Sequence, residues 1–230
     1  MCRGEWGAEC VRRLLEAAVS AAGLLLLSPV LAVVAVLVVV DSGFPIFYRG
    51  YRVGRGGRPF RMVKFRTLPN GTEQQVGSRL IRPEEVASTT CLGRLLRKSK
   101  LDELPQLWNV LVGEMSLVGP RANRPAYYLN CLSRIPGYAC RTLVKPGMTG
   151  MAQVFGDYYT PPEKKLRYDR LYLERRSLAL DLWLVLMTVA RLVRVRRRPR
   201  RRAAAALSAP APLASAGVLA PSERTADRAA

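Results

Sequence analysis

The chain has 230 residues, with 37 lysines and arginines against 17 acidic residues, a formal net charge of +20 and no histidine. That length allows one ordinary domain with a real core, and the charge calls for an anionic partner: nucleic acid, an anionic membrane face or phosphorylated substrates. The missing histidine excludes Ser-His-Asp triads and histidine-ligated metals, so any chemistry must run on carboxylates, cations, hydroxyls or thiols.

The first predicted element is an apolar run. No charge occurs between Glu16 and Asp41, and the 24 residues 17–40 are long enough to cross a bilayer, which needs about 20. The run exceeds a signal-peptide core and lacks a small-residue cleavage pattern, so it is expected to stay attached. Cations flank both ends, Arg3, Arg12 and Arg13 before it and seven from Arg49 to Arg66 after it, and the positive-inside rule draws both ends to the cytoplasm. Ser28-Pro29 falls mid-run, where proline frees a backbone carbonyl that the serine hydroxyl can satisfy. These facts predict a kinked, re-entrant helix over residues 12–40, with a straight span as the alternative.

Residues 44–48 and 60–65 then read as short strands, and the glycine-rich residues 54–59 as a hairpin turn or loop between them. Lys64 and Arg66, two apart, share one face of an extended segment; they could grip a diphosphate or mark a solvated basic edge. Residues 69–87 are polar and turn-rich and read as a surface loop.

Helical patterning resumes near Cys91 and carries through to about Val112. Inside it lies Leu101-Asp102-Glu103-Leu104-Pro105-Gln106, two adjacent carboxylates just after Arg94, Arg97, Lys98 and Lys100. Backbone N–H groups at a helix start and nearby cations favour ionised carboxylates. Such a pair suits attack on a phosphoryl group or ligation of a hard cation such as magnesium. It equally suits the plain task of starting a helix.

Residues 115–121 form a short strand or turn that delivers Arg121, residues 125–132 a helix, and Pro136-Gly137 and residues 145–150 two further breaks. Pro161-Pro162-Glu163 opens a helix to Ser177. Residues 178–190 are nearly all apolar yet too short to span, so they are a core helix or one lying in the membrane interface. Eight arginines between Arg191 and Arg202 read as a juxtamembrane polybasic run, with a nucleic-acid-binding tail as the alternative. Residues 203–230, rich in Ala, Pro and Ser, are expected to be disordered. The five cysteines, Cys2, Cys10, Cys91, Cys131 and Cys140, lack the paired spacing of a zinc or redox site.

The segments Leu27-Ser28-Pro29, Arg52-Val53-Gly54, Lys64-Phe65-Arg66-Thr67, Leu92-Gly93-Arg94, residues 101–106, Trp108-Asn109-Val110-Leu111, residues 115–121, residues 146–150, Ala152-Gln153-Val154, and Tyr168-Asp169 with Tyr172, Ser177 and Asp181 follow one another in this order. Through them the chain, over residues 12–191, resembles the bacterial sugar transferase family, the monotopic phosphoglycosyl transferases. With that resemblance the fold expected is α+β and mostly helical: a re-entrant membrane helix (12–40), a small cytoplasmic catalytic core with a short β-hairpin and interfacial amphipathic helices (41–192), and a polybasic, disordered tail (193–230).

The resemblance implies a reaction at the cytoplasmic face of the bacterial inner membrane, the first membrane step of exopolysaccharide, O-antigen, capsule or glycoprotein glycan synthesis. Asp102 would attack the sugar-bearing phosphate of a UDP-sugar, release UMP and carry the phosphosugar until polyprenol (undecaprenyl) phosphate takes it. By the same match Glu103 would bind Mg2+, and Lys64, Arg66 and Arg97 would hold phosphates. Pro120 and Arg121 would contact the nucleotide, Asp169 would support the site, and Ser28 and Pro29 would form the membrane kink. Anionic lipid is an expected partner and nucleic acid is not, while a homodimer stays open.

The chain departs from the family pattern at Ala122, where a second proline is common, at Lys100, where serine is usual, and at Glu16, where aspartate is usual. The sugar is not written in the sequence. The rival from another class is a non-catalytic membrane-bound basic scaffold or a nucleic-acid-binding protein.

Overall fold

The computed structural model describes residues 3–68, 90–157 and 160–197. The surface loop expected at residues 69–87 and the tail at residues 203–230 lie outside the described residues.

Two helices open the chain, α1 (Arg3–Leu26) and α2 (Ser28–Ser42), bent by 61° across a one-residue break. The bend has the expected cause. Pro29 cannot donate to the Leu25 carbonyl, and the Ser28 hydroxyl donates to it instead at 2.7 Å. Among the described residues no single helix is long and apolar enough to cross a membrane, although this bent pair passes the test together.

The faces of α1 are inverted relative to a helix of a water-soluble protein. Arg12, Glu16 and Ser20, spaced by four, are buried, whereas Val11, Leu14, Leu15 and Val19 are exposed. On α2 only Val34 and Val38 are buried; Val30, Val33, Val36, Leu37 and Val40 are exposed.

An antiparallel hairpin follows, β1 (Phe47–Val53) with β2 (Pro59–Phe65), in register from Phe47 opposite Phe65 to Val53 opposite Pro59. Its glycine-rich connection is closed by Gly54 N–H donating to the Arg58 carbonyl at 2.8 Å, with Gly56 and Gly57 at positive φ.

The helix expected over residues 91–112 is broken in two. Helix α3 (Cys91–Ser99), N-capped by Thr90, stops at Lys100, whose φ of 62° makes it the single non-glycine residue at positive φ among the described residues. A 3-10 turn (Leu101–Glu103) leads into α4 (Gln106–Val112). Pro105 explains the break, since it has no N–H to give the Leu101 carbonyl, which accepts from Leu104 at 3.3 Å instead.

Residues 145–150, expected as a turn, supply a strand. β3 (Ser116–Val118) pairs in parallel with β4 (Gly147–Thr149), with Gly119 N–H donating to Thr149 C=O at 2.8 Å and Gly147 N–H to Pro120 C=O at 3.0 Å. The approach is close because both chains carry glycine there; a Cβ on Gly147 would collide with the backbone of Gly119 and Thr149. Gly147→Ala is therefore expected to cost about 3 kcal/mol or more, as overpacking with no flexible neighbour to yield. A urea melt within about 1 kcal/mol of the parent would contradict this.

Helices α5 (Pro125–Arg134), α6 (Met151–Phe155), α7 (Pro162–Arg175) and α8 (Leu178–Arg197) complete the fold. Helix α8 runs on past the apolar stretch expected at 178–190 and into the arginines. The architecture is α+β and mostly helical, with two two-stranded sheets. One apolar cluster joins Val34 and Val38 of α2, Phe65 of β2 and Leu96 of α3, with Ile46 and Leu101 against it. It fixes the turn that carries the acid pair onto the bent helices. Helix α4 is held against α1 as well: Gly23 lies against Leu107, and Arg13 donates to the carbonyls of Val110 and Leu111.

Candidate active site

Asp102 and Glu103 sit together on the 3-10 turn, in opposite electrostatic states. Asp102 is 7% exposed and its Oδ1 is buried with no hydrogen-bond partner. Burial, then the charge of Glu103, pushes its carboxyl above the usual range, against the pull of Lys64, Lys100 and Arg97. Burial acts upward on Glu103 too, but Arg121, Lys64 and Lys100 outweigh it and hold its carboxyl well below the ordinary value. Its Oε1 accepts from Lys64 Nζ at 2.8 Å and Arg121 Nη2 at 2.9 Å, with Lys100 Nζ at 4.0 Å. The sequence led us to expect that cations would favour ionisation of both carboxylates. The structure corrects this for Asp102, because the cations bond its neighbour and leave burial to dominate.

Lys64 comes from β2 with its side chain 15% exposed, and its ammonium is pushed down by loss of solvent more than Glu103 restores it. Arg121 comes from the turn after β3. Arg97 acts on Asp102 through its charge from the last turn of α3. The structure brings these three cations to the acid pair. The structure places two other residues elsewhere. Arg66 donates to the carbonyls of Ser42, Gly43 (2.6 Å) and Phe44 (3.1 Å), closing the C-terminal end of α2. Asp169 forms a buried ion pair with Arg141 Nε at 2.6 Å, and the Pro120 carbonyl is taken by Gly147 N–H.

Arg141 was not singled out in the sequence, and the structure places it beside the backbone of Arg121. Its guanidinium binds Asp169, donates to Tyr138 Oη at 2.6 Å and reaches the Arg121 carbonyl at 3.3 Å, while Asn123 Nδ2 also bonds Tyr138 Oη, at 2.8 Å. Asp169 thus holds Arg141, whose guanidinium reaches the backbone of Arg121. Further cations gather beyond it. Burial, then Arg124 and Arg121, lowers Arg52 to about 10, and burial, then Arg121 and Arg141, lowers Lys165. Val53 N–H bonds the Asn123 carbonyl at 2.9 Å, which ties the strand of Arg52 to the segment of Arg121 and Arg124. Cations that depress one another in this way favour an anion arriving beside them.

Among the described residues no group of three or more acidic or cysteine side chains forms a metal cage. Magnesium does not require one, being bound through one or two carboxylates plus substrate phosphates. Lys64 and Arg121 both bond Oε1 of Glu103, which leaves Oε2 for such an ion, so the donor set fits.

The family model described as bacterial sugar transferase matches residues 7–195, and the chain belongs to that family. A UDP-glucose:undecaprenyl-phosphate glucose-1-phosphate transferase of Klebsiella pneumoniae is 39% identical over 184 residues, covering 77% of this chain and 39% of the relative. A UDP-N-acetylgalactosamine-undecaprenyl-phosphate N-acetylgalactosaminephosphotransferase of Aeromonas hydrophila is 36% identical over 167 residues, 71% of this chain and 39% of the relative. A UDP-glucose:undecaprenyl-phosphate glucose-1-phosphate transferase of Caulobacter vibrioides is 36% identical over 193 residues, 79% of this chain and 69% of the relative. The chain spans about two fifths of the length of the first two.

Proposed function

We propose that this chain moves a sugar 1-phosphate from a UDP-sugar to undecaprenyl phosphate, releasing UMP, with Asp102 as the covalent centre. The observation that carries the reading is the pairing of a buried carboxylate that has an unbonded oxygen with a neighbouring carboxylate gripped by Lys64 and Arg121. A nucleophile needs free lone pairs, and a transferring phosphoryl group needs fixed cations. Asp102 attacks the sugar-bearing phosphorus; the new P–O bond forms as the bond to the UMP oxygen breaks, and UMP leaves with the electron pair. The phosphate oxygen of undecaprenyl phosphate then attacks the same phosphorus, and the Asp102 carboxylate departs unchanged. Lys64, Arg97 and Arg121 neutralise the phosphates, and Arg141 and Asp169 keep Arg121 in place. Magnesium, held by Glu103 and the diphosphate, would supply further charge neutralisation.

The membrane reading rests on the inverted faces of α1 and the exposed valines of α2. Apolar side chains face outward and charged ones face the protein, as suits a bent pair that dips into one leaflet of the inner membrane and returns to the cytoplasm. Cys10, exposed on α1, is expected to react with a membrane-impermeant maleimide only after cells are permeabilised. Labelling in intact spheroplasts would sink the re-entrant topology.

The reaction itself is tested with the full chain in detergent, magnesium, undecaprenyl phosphate and a panel of UDP-glucose, UDP-galactose and UDP-N-acetylgalactosamine. UMP release from at least one donor, with a phosphosugar mass added to the protein when acceptor is left out, is expected. Failure of any donor to give UMP or the adduct would overturn the reading.

A further inference from the structure

Gln106 is 4% exposed, and its Nε2 is buried without a hydrogen-bond partner. A buried amide donor left unmade costs about 1–3 kcal/mol, so its retention needs a reason. Its placement suggests one. Backbone bonds from Leu104 to Leu101, Leu107 to Leu104 and Trp108 to Pro105 each span three residues, so residues 101–108 follow a tight 3-10 path that sets Gln106 just over one turn after Asp102. Side chains on such a path lean toward its N-terminus, which brings Gln106 back toward the turn that carries the acid pair. Yet the two do not satisfy each other: Oδ1 of Asp102 and Nε2 of Gln106 are both buried and both without a partner.

A buried donor and a buried acceptor on adjacent turns that leave each other unbonded are matched to a third group with lone pairs for the amide and an electrophilic atom for the carboxylate. We infer that Gln106 is a catalytic residue: its Nε2–H donates to a non-bridging oxygen of the phosphoryl group while that group is transferred to and from Asp102. This inference rests on Asp102 being the nucleophile. In the transfer the non-bridging oxygen keeps its bond to phosphorus, and the amide keeps its proton. Its contribution is a fixed dipole that meets charge building on the phosphoryl oxygens, beside a carboxylate that is itself buried. No other side chain on the turn or on α4 offers a buried, unbonded donor.

The test compares Gln106→Met, of similar length and without a donor, with Gln106→Asn, which keeps the amide one carbon short. The full chain is used with magnesium and whichever UDP-sugar of the panel gives the most UMP, and the UMP burst and the adduct mass are followed by rapid quench. Removing one such donor is worth about 10²-fold. The burst rate is therefore expected to fall about 10²-fold in Gln106→Met, with KM for the UDP-sugar within about threefold, as for an interaction made only in the transition state. Gln106→Asn is expected to lose at least about tenfold, because a displaced donor misses its oxygen. Melting temperatures should hold, since Nε2 makes no bond in the resting protein that a substitution could break.

A burst within about threefold of the parent in either folded variant overturns the inference, as does a rise in KM with the burst unchanged. Parent protein that forms its adduct at a residue other than 102 overturns the Asp102 reading and this inference with it. An adduct on Asp102 at parental rate in Gln106→Met overturns this inference alone.

Discussion

Asp102→Asn is expected to lower UMP release at least about 10³-fold, as removal of a nucleophile does, and to leave the protein as stable as the parent or more so. The first effect follows from chemistry, because an amide cannot form the acyl phosphate. The second follows from burial. Oδ1 has no partner and the carboxyl is pushed up, by burial first and then by Glu103. A folded value above the unfolded one means the proton is held more tightly in the native state. The stabilisation this represents is complete below about pH 4, where the unfolded carboxyl titrates, and is lost as pH rises through the folded value. At neutral pH the ionised carboxylate therefore weighs against the fold. A neutral isostere removes that cost, by about 1 kcal/mol for one poorly satisfied buried group, or about 2–4 °C in a chain of this size. Thermal melts in metal-free buffer and UMP assays on the same preparation check both halves. A variant that melts clearly below the parent would mean Asp102 has a structural partner, and a variant that turns over would remove it from the reaction.

How much of this was legible in the sequence depends on how local each cause is. The bend at Ser28-Pro29 and the β1–β2 hairpin arise within a few residues, from a missing N–H and from glycines that accept positive φ; the bend, the glycine turn and the second strand were read in place, while the first strand, expected at 44–48, runs over Phe47–Val53. The acid pair was visible as a cluster between cations and an apolar helix, but its split was not, because it depends on Lys64 arriving from 39 positions away and bonding Glu103 alone. Pro105 does stand at a helix start, that of α4, but the left-handed Lys100 that ends α3 ahead of it had no signal in the apolar spacing. Arg141 had no periodic signal: its partners Asp169 and Arg121 lie 28 and 20 positions away. The β3–β4 pair is three residues on each side, and its glycines look the same as those of a turn until the second backbone is seen against them. Arg66 shows the converse, a cation whose extended-segment spacing pointed to phosphate and whose guanidinium is occupied by three carbonyls at the end of α2.

Glu103→Gln is expected to act oppositely to Asp102→Asn on stability, though the two residues are adjacent. Lys64 and Glu103 side chains are each 15% exposed, and Arg121, on the same oxygen, is 48% exposed. Breaking a buried pair by removing one partner costs about 3–5 kcal/mol, chiefly because the other charge is stranded. The half-exposed Arg121 can turn to water, so the lower end, about 3 kcal/mol and about 6–12 °C, is expected at neutral pH. The difference should also have a shape in pH. Glu103 has a depressed folded value, so its contribution is present above the unfolded carboxyl range and disappears as pH falls through that folded value, which makes parent and variant converge in strong acid. Lys64 has a depressed folded value as well, and in the variant only the charge of Asp102 works to restore it. Its ammonium therefore weighs against the variant until pH rises toward about 10.4, where the unfolded lysine also loses its proton and the deficit shrinks. Urea melts across pH in metal-free buffer would show a gap widest near neutrality and narrower at both ends. A gap that is flat in pH would mean Glu103 acts by packing, and no gap at all would remove the Lys64–Glu103–Arg121 cluster as the support on which the Asp102 turn is held.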